Sequence, residues 1–228
     1  MILGSGLLTA SGKTRLTLYT TKSGTFNPTI VASDTSGIVW TWPDGSTYTG
    51  GTPSKALAGG TQTITIAFDD PTLVTELNFQ AQSMAGTWPL SSLAEFTGLT
   101  YLRAYGNTGL NVSGSLADAP AGLTQLYLYS TSSNISGGAT AMAAVGIREI
   151  RVDSSSTTQA NIDDILMRLY TDRASFTYAT PVCNVGGTNP DPTGTYADAT
   201  PPTTGLEYAY KLVVDPDAEG FKKWAITY

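Results

Sequence analysis

Three seven-residue phrases constrain this chain more than any other feature. They are Gly98-Leu99-Thr100-Tyr101-Leu102-Arg103-Ala104, Gly122-Leu123-Thr124-Gln125-Leu126-Tyr127-Leu128 and Gly146-Ile147-Arg148-Glu149-Ile150-Arg151-Val152, their glycines 24 residues apart and then 24 again. An upstream copy, Val74-Thr75-Glu76-Leu77-Asn78-Phe79, is one residue out of step and lacks the glycine. Counted from the residue after the glycine, apolar residues fall at the first, fourth and sixth places of every copy. Side chains alternate across an extended strand, so the fourth and sixth residues share a face. One such strand buries too little to stand alone. Copies at a fixed period stack side by side, and each extends the core of the last.

Between the phrases the chain must return. In Ala85-Gly86-Thr87-Trp88-Pro89, Asn111-Val112-Ser113-Gly114 and Asn134-Ile135-Ser136-Gly137, Val112 and Ile135 are expected to turn inward while the glycines take the bends. Leu90, Leu93 and Phe96 then supply an apolar partner in the first return, Leu116 in the second, and Met142 and Val145 in the third. A period in the twenties with an L-x-x-L-x-L core resembles the leucine-rich repeats. Over residues 72 to about 190, that resemblance implies a short solenoid of parallel strands with helical or irregular returns.

The following return predicts a helix, because Ile162, Ile165, Leu166 and Leu169 fall at i, i+3, i+4 and i+7. Asn161 is its expected cap, with Asp163 and Asp164 in the first turn and Arg168 near the end, each matching the helix dipole. Beyond it two registers compete. Counting 24 on from Val152 gives Phe176, whereas Val182-Cys183-Asn184-Val185 is the more strand-like stretch. Proline-rich residues 190–205 read as a loop, and Tyr208–Val214 and Lys223–Tyr228 as closing strands. Trp224 and Ile226 are the candidates to cover the open end of the solenoid.

Three further phrases carry a second resemblance: Ile162-Asp163-Asp164-Ile165-Leu166, the run Gly186 to Gly194, and Gly220 to Tyr228. Together they resemble repeat proteins of tailed-bacteriophage structural genes and of some bacterial surface proteins. That family brings no enzymatic motif.

Upstream, Arg15–Tyr19, Ile38–Trp42 and Thr63–Phe68 alternate with period two between Gly, Pro, Asn and Asp, which predicts strands. Trp40, Trp42, Ile64, Ile66 and Phe68 form a candidate core, with the tryptophans read as packing rather than as a sugar platform. Val39–Ser46 followed by Gly59–Ile66 resembles a PKD-type, immunoglobulin-like module. The expected fold is therefore mainly β with some α: a small β-sandwich over residues 1–70, then a leucine-rich-repeat solenoid with capping strands over 71–228. Asp69-Asp70-Pro71 joins them as a short turn.

Composition narrows the function. Only 13% of residues are charged and the net charge is −6, so no basic stripe awaits nucleic acid. The sequence lacks histidine, which removes the usual triads and most transition-metal sites, and its one cysteine, Cys183, has no histidine partner. The expectation is a protein without enzymatic activity, cofactor or metal; a carboxylate-pair glycosidase is the one enzymatic alternative. The apolar N-terminus, Met1 to Leu8, is short and broken by Gly and Ser, and no stretch reaches the ~20 apolar residues of a membrane span. Neither export by the usual signal nor membrane insertion is expected.

What remains is a surface. If Leu77, Leu102, Leu126 and Ile150 point inward, their neighbours form three outward rows. These run Glu76-Tyr101-Gln125-Glu149, Asn78-Arg103-Tyr127-Arg151 and Gln80-Tyr105-Tyr129-Asp153. Tyr101, Arg103, Tyr105, Tyr127, Tyr129, Arg151 and Asp153 are the candidate binding face. The competing reading of the same residues is cross-strand stabilisation. Combined with the bacteriophage resemblance, this implies a non-enzymatic virion protein, either a head or tail decoration or a host-attachment protein. Its expected partners are other virion proteins, copies of itself, or a host-surface glycan or protein. The alternative is an adhesin at a bacterial cell surface.

Overall fold

The computed structural model describes residues 7–10, 13–214 and 223–228, with backbone only for 7–10. The expectations placed on Met1–Gly6 and Gly220–Lys222 lie outside the described residues. The N-terminal stretch forms β1 (Leu7–Ala10), β2 (Lys13–Thr20), β3 (Ser23–Phe26), β4 (Thr29–Ala32), β5 (Ile38–Thr41), β6 (Thr47–Thr49), β7 (Lys55–Ala58) and β8 (Gln62–Phe68). The repeats supply β9 (Val74–Asn78), β10 (Met84–Pro89), β11 (Tyr101–Arg103), β12 (Gly109–Ser115), β13 (Gln125–Tyr127), β14 (Asn134–Ser136) and β15 (Glu149–Arg151). Helix α1 (Gln159–Thr171), β16 (Val182–Asn184), helix α2 (Gly205–Val214) and β17 (Ala225–Thr227) complete the chain.

The molecule is a mainly β protein containing a β-solenoid of about three turns. One wall is the sheet β4-β9-β11-β13-β15-β16-β17, parallel from β9 onward with β4 antiparallel at its edge. Leu77, Leu102, Leu126, Ile150, Cys183 and Ile226 are successive direct partners across it, so the register expected for the repeats holds and two further strands join it at longer intervals. The first five of these are fully buried. At roughly 1.5–3 kcal/mol per buried aliphatic side chain, this column is a principal source of stability. Val182–Asn184 is the true continuation. Phe176, at the rival position, lies in the connection and packs edge-on against Trp224 with ring centroids 5.1 Å apart.

The opposite wall departs from expectation. Its first returns are strands, not irregular bends: β10, β12 and β14 pair in parallel, stacking Trp88 beside Val112. Val112 and Ile135 do turn inward, but Val145 stays exposed. After β14 this wall becomes helical, with α1 beside β14 and α2 against α1. The expected strand Tyr208–Val214 lies in α2, where Gly205, Ala209 and Leu212 are buried at helical spacing. Helix α1 is capped by Thr158, whose hydroxyl accepts from the Asn161 N–H, and not by Asn161. Asp163 and Asp164 lie past its first turn and fasten neighbouring loops instead. Asp163 accepts from the backbone N–H and hydroxyl of Thr193, Asp164 from the N–H groups of Gly137 and Gly138.

Each corner after an outward row is held by a buried polar side chain. Asn107 donates to the carbonyls of Phe79 and Ala104 at 2.8 and 2.7 Å and accepts from the Met84 N–H at 3.0 Å. Thr131, Ser155 and Asn189 bond Leu128, Val152 and Val185 carbonyls at the same place in later turns. These brackets satisfy backbone groups that the turn would otherwise bury unpaired. The corner also needs one left-handed residue per turn: Ala81, Gly106, Ser130, Ser154 and Gly187 all have positive φ. The glycines that mark the sequence period are unequal. A Cβ on Gly98 would meet the Thr72 carbonyl oxygen at 2.2 Å, whereas one on Gly146 would meet nothing closer than 3.9 Å.

The N-terminal strands extend both walls. β2 pairs antiparallel with β10 and β4 with β9, while β5, β6 and β8 continue beyond β2. The apolar residues of both stretches merge into one cluster. Trp40 and Trp42 lie within it, stacked at 6.0 Å, with Phe26 edge-on to Trp42. Asp70 shapes the junction by accepting from the Thr72 N–H and hydroxyl.

Candidate binding face

The first wall presents its outward side as three rows. In-register pairing places Glu76, Tyr101, Gln125 and Glu149 side by side, and likewise Asn78, Arg103, Tyr127 and Arg151. Past the strand ends the backbone ladder runs on through Ala81 to Tyr105, Gly106 to Tyr129 and Ser130 to Asp153. That brings Gln80, Tyr105, Tyr129 and Asp153 into the third row. All seven candidate residues therefore share one face.

They are interlocked. The Tyr105 and Tyr129 rings stack with centroids 4.4 Å apart and 11° between planes, and the Arg151 guanidinium lies 4.3 Å above the Tyr129 centroid. Arg151 also forks onto Asp153 with both contacts at 3.2 Å. Arg103 sits between Tyr101 and Tyr127, 5.3 and 5.8 Å from their centroids, and pairs with Glu76 at 3.3 Å. Tyr127 donates its hydroxyl proton to Glu149 at 2.5 Å, and Tyr105 donates to Gln80. Yet the layer is not sealed: the Arg103 and Arg151 side chains are 31% and 34% exposed.

The electrostatics follow from this packing. Partial burial, then the Glu149 hydrogen bond and negative charge, push the Tyr127 hydroxyl up to about 12. Burial, then the neighbouring Tyr105, raises Tyr129 as well. Burial pulls the Arg151 guanidinium down, but the hydrogen bonds and charge of Asp153 outweigh it and raise it further. The face is thus a fixed array of phenols in which Arg103 and Arg151 are each paired with a carboxylate. Asp153 already occupies the Arg151 fork, and Glu76 takes one amino group of Arg103. Rings and open guanidinium edges are what the face offers a partner, at small entropic loss on binding.

The outward-row reading missed Arg148. It occupies a column that reads Thr75, Thr100, Thr124, Arg148, and the change of residue type was the available signal. The threonines bond back along the stack, Thr100 to the Thr75 carbonyl and Thr124 to the Thr100 carbonyl. Arg148 instead reaches across two strands to donate to the Tyr101 hydroxyl at 3.0 Å, its guanidinium 5.6 Å from that ring's centroid. Cys183 plays no part in the face. It is fully buried in the inward column, and burial pushes its thiol up to about 12.

Among the described residues, no cluster of three or more Cys, Asp or Glu side chains forms a metal site, and no helix is long and apolar enough to cross a membrane. Comparison with protein-family models, with curated proteins and with solved structures returned no match for this chain.

Proposed function

We propose that this chain is a non-enzymatic recognition protein of a tailed-bacteriophage virion, a head or tail decoration or a host-attachment protein. It acts by binding protein or glycan through the outward face of a leucine-rich-repeat solenoid. One observation carries the recognition reading: four tyrosines and two arginines are held in register on a rigid parallel sheet and left partly open. Aromatic and arginine side chains fixed in this way are the usual energetic centre of an interface. The bacteriophage assignment rests on the sequence resemblance carried by Ile162–Leu166 and Gly186–Gly194.

In this reading the N-terminal strands are an immunoglobulin-like, PKD-type sandwich that closes one end of the solenoid and contacts the coat or a second copy. The experiment is to label the purified protein and titrate it against purified virions and against host cells. Saturable binding to either, competed by unlabelled protein, is the expected result. Binding to neither, by a protein that unfolds cooperatively, contradicts the proposal.

A further inference from the structure

A trough opens at the N-terminal margin of the face, lined by Lys22, Asn27, Asn78, Gln80, Gln82 and Tyr105. We infer that it is a subsite for one uncharged sugar residue, with the ring set against Tyr105 and its hydroxyls on the Asn27 and Gln80 amides. The inference deepens the recognition reading and rests on it.

Preorganisation is the first argument. Gln82 is buried at 6% exposure and grips Asn27 twice, accepting from its backbone N–H at 2.9 Å and donating to its side-chain oxygen at 3.3 Å. The Gln82 amide donates also to the Gln80 carbonyl at 3.0 Å. Its amide is thereby used on the protein, so it acts as a positioning residue that fixes the Asn27 amide and the Gln80 backbone, while Tyr105 holds the Gln80 side chain. Asn78 accepts from the Gln80 N–H at 3.2 Å and holds the same turn.

The second argument is what the trough has left to offer. The Asn27 oxygen is taken by Gln82, which leaves its NH2 group as donor. The Gln80 oxygen accepts from Tyr105, which leaves that amide's NH2 group likewise. Tyr105 supplies an aromatic wall, itself braced by Tyr129 and, beyond it, Arg151. An aromatic wall with a few fixed neutral donors matches the apolar face and hydroxyl rim of a pyranose.

Geometry favours a neutral sugar over an acidic one, because the lining holds no guanidinium fork. The lining includes one ionic group, Lys22, and its ammonium donates to the Ala81 carbonyl at 2.7 Å. Carboxylate recognition favours a free guanidinium fork. The nearest arginines on this face are paired with Glu76 and Asp153.

The test is a side-chain amide NMR titration of the whole protein with methyl glycosides of glucose, galactose, mannose and N-acetylglucosamine, alongside glucuronate. At least one neutral glycoside is expected to shift the Asn27 and Gln80 amide signals saturably. Asn27→Ala, at an exposed position, and Tyr105→Ala should each weaken it by about tenfold, while Tyr105→Phe, which keeps the ring, should retain it. No shift with any neutral glycoside, or a preference for glucuronate, overturns the inference. The Tyr101/Arg103/Tyr127 triple-alanine variant separates the two readings, because those residues lie outside the trough. Loss of cell or virion binding in that variant without any sugar shift in the wild type sinks the subsite alone. A sugar shift with undiminished binding by the triple variant supports the subsite and sinks the wider face.

Discussion

The two sides of the first wall are built from the same strands and obey different physics. Inward, Leu77, Leu102, Leu126, Ile150 and Cys183 form a column of one chemical kind in which each residue has only to be apolar and of similar size. Outward, each position is defined by a particular neighbour: Arg103 by Glu76, Tyr127 by Glu149, Tyr129 by Tyr105 and Arg151. The inward side is stabilised by area, the outward side by geometry. Substitutions should therefore separate cleanly into those that unfold the solenoid and those that alter what it binds.

The inward side gives the largest expected effect on folding. Leu126→Ala removes a fully buried side chain with Leu102 and Ile150 as its neighbours in the stack. It should lose ~2–5 kcal/mol of stability, measured by chemical denaturation. A loss below ~1 kcal/mol would mean the column repacks freely and the contrast with the outward side is overstated.

The corner brackets come next. Asn107→Ala leaves the Phe79 and Ala104 carbonyls and the Met84 N–H without their side-chain partner. The expected loss is roughly 2–4 kcal/mol, because each buried unpaired group is costly. Hydrogen exchange should locate it: protection of the Met84 N–H should fall first.

A smaller effect should appear at high pH. Tyr127 in the folded chain is pushed up to about 12 from an ordinary value of 10.0, so the unfolded chain releases this proton first. The contribution of Tyr127 is then intact below about pH 10 and is lost as pH rises toward 12. Unfolding free energies of wild type and Tyr127→Phe, compared across that range, should converge as pH rises. A constant difference would mean that burial and the Glu149 bond do not hold the phenol neutral.

The smallest folding effect belongs to Arg103→Ala, whose guanidinium is partly exposed and whose Glu76 partner also meets water. Tenths of a kcal/mol are expected, as for ordinary cross-strand pairs. Thermal denaturation of this variant beside Leu126→Ala sets the scale of the contrast.

How much of this could be read from sequence follows the same division. The inward column was legible because identical chemistry recurs at a fixed period, and the register gave the outward rows as a by-product. Partner choice within the rows was not legible: nothing local says that Arg148 reaches back to Tyr101 across two strands. The second wall misled for a physical reason. Its strands contain glycines, Gly86 and Gly114 at positive φ, that read as bends but sit inside β10 and β12. Tyr208–Val214 reads as a closing strand, yet Glu207 caps the N–H groups of Thr203 and Thr204 and the buried positions follow a helix. A threonine followed three residues on by glutamate was the signal for that start. The span between β15 and β16 broke the 24-residue count because it holds a whole helix and a proline-containing connection.

The most direct test of the outward face is the Tyr101/Arg103/Tyr127 triple-alanine variant, measured in one preparation for thermal unfolding and for binding to host cells or virions. The account predicts a folded, cooperative protein whose affinity falls by roughly 1–3 kcal/mol, the loss typical of removing interface anchors. A folded variant that binds as the wild type does would contradict it, leaving the tyrosine–arginine layer as reinforcement of the sheet and nothing more.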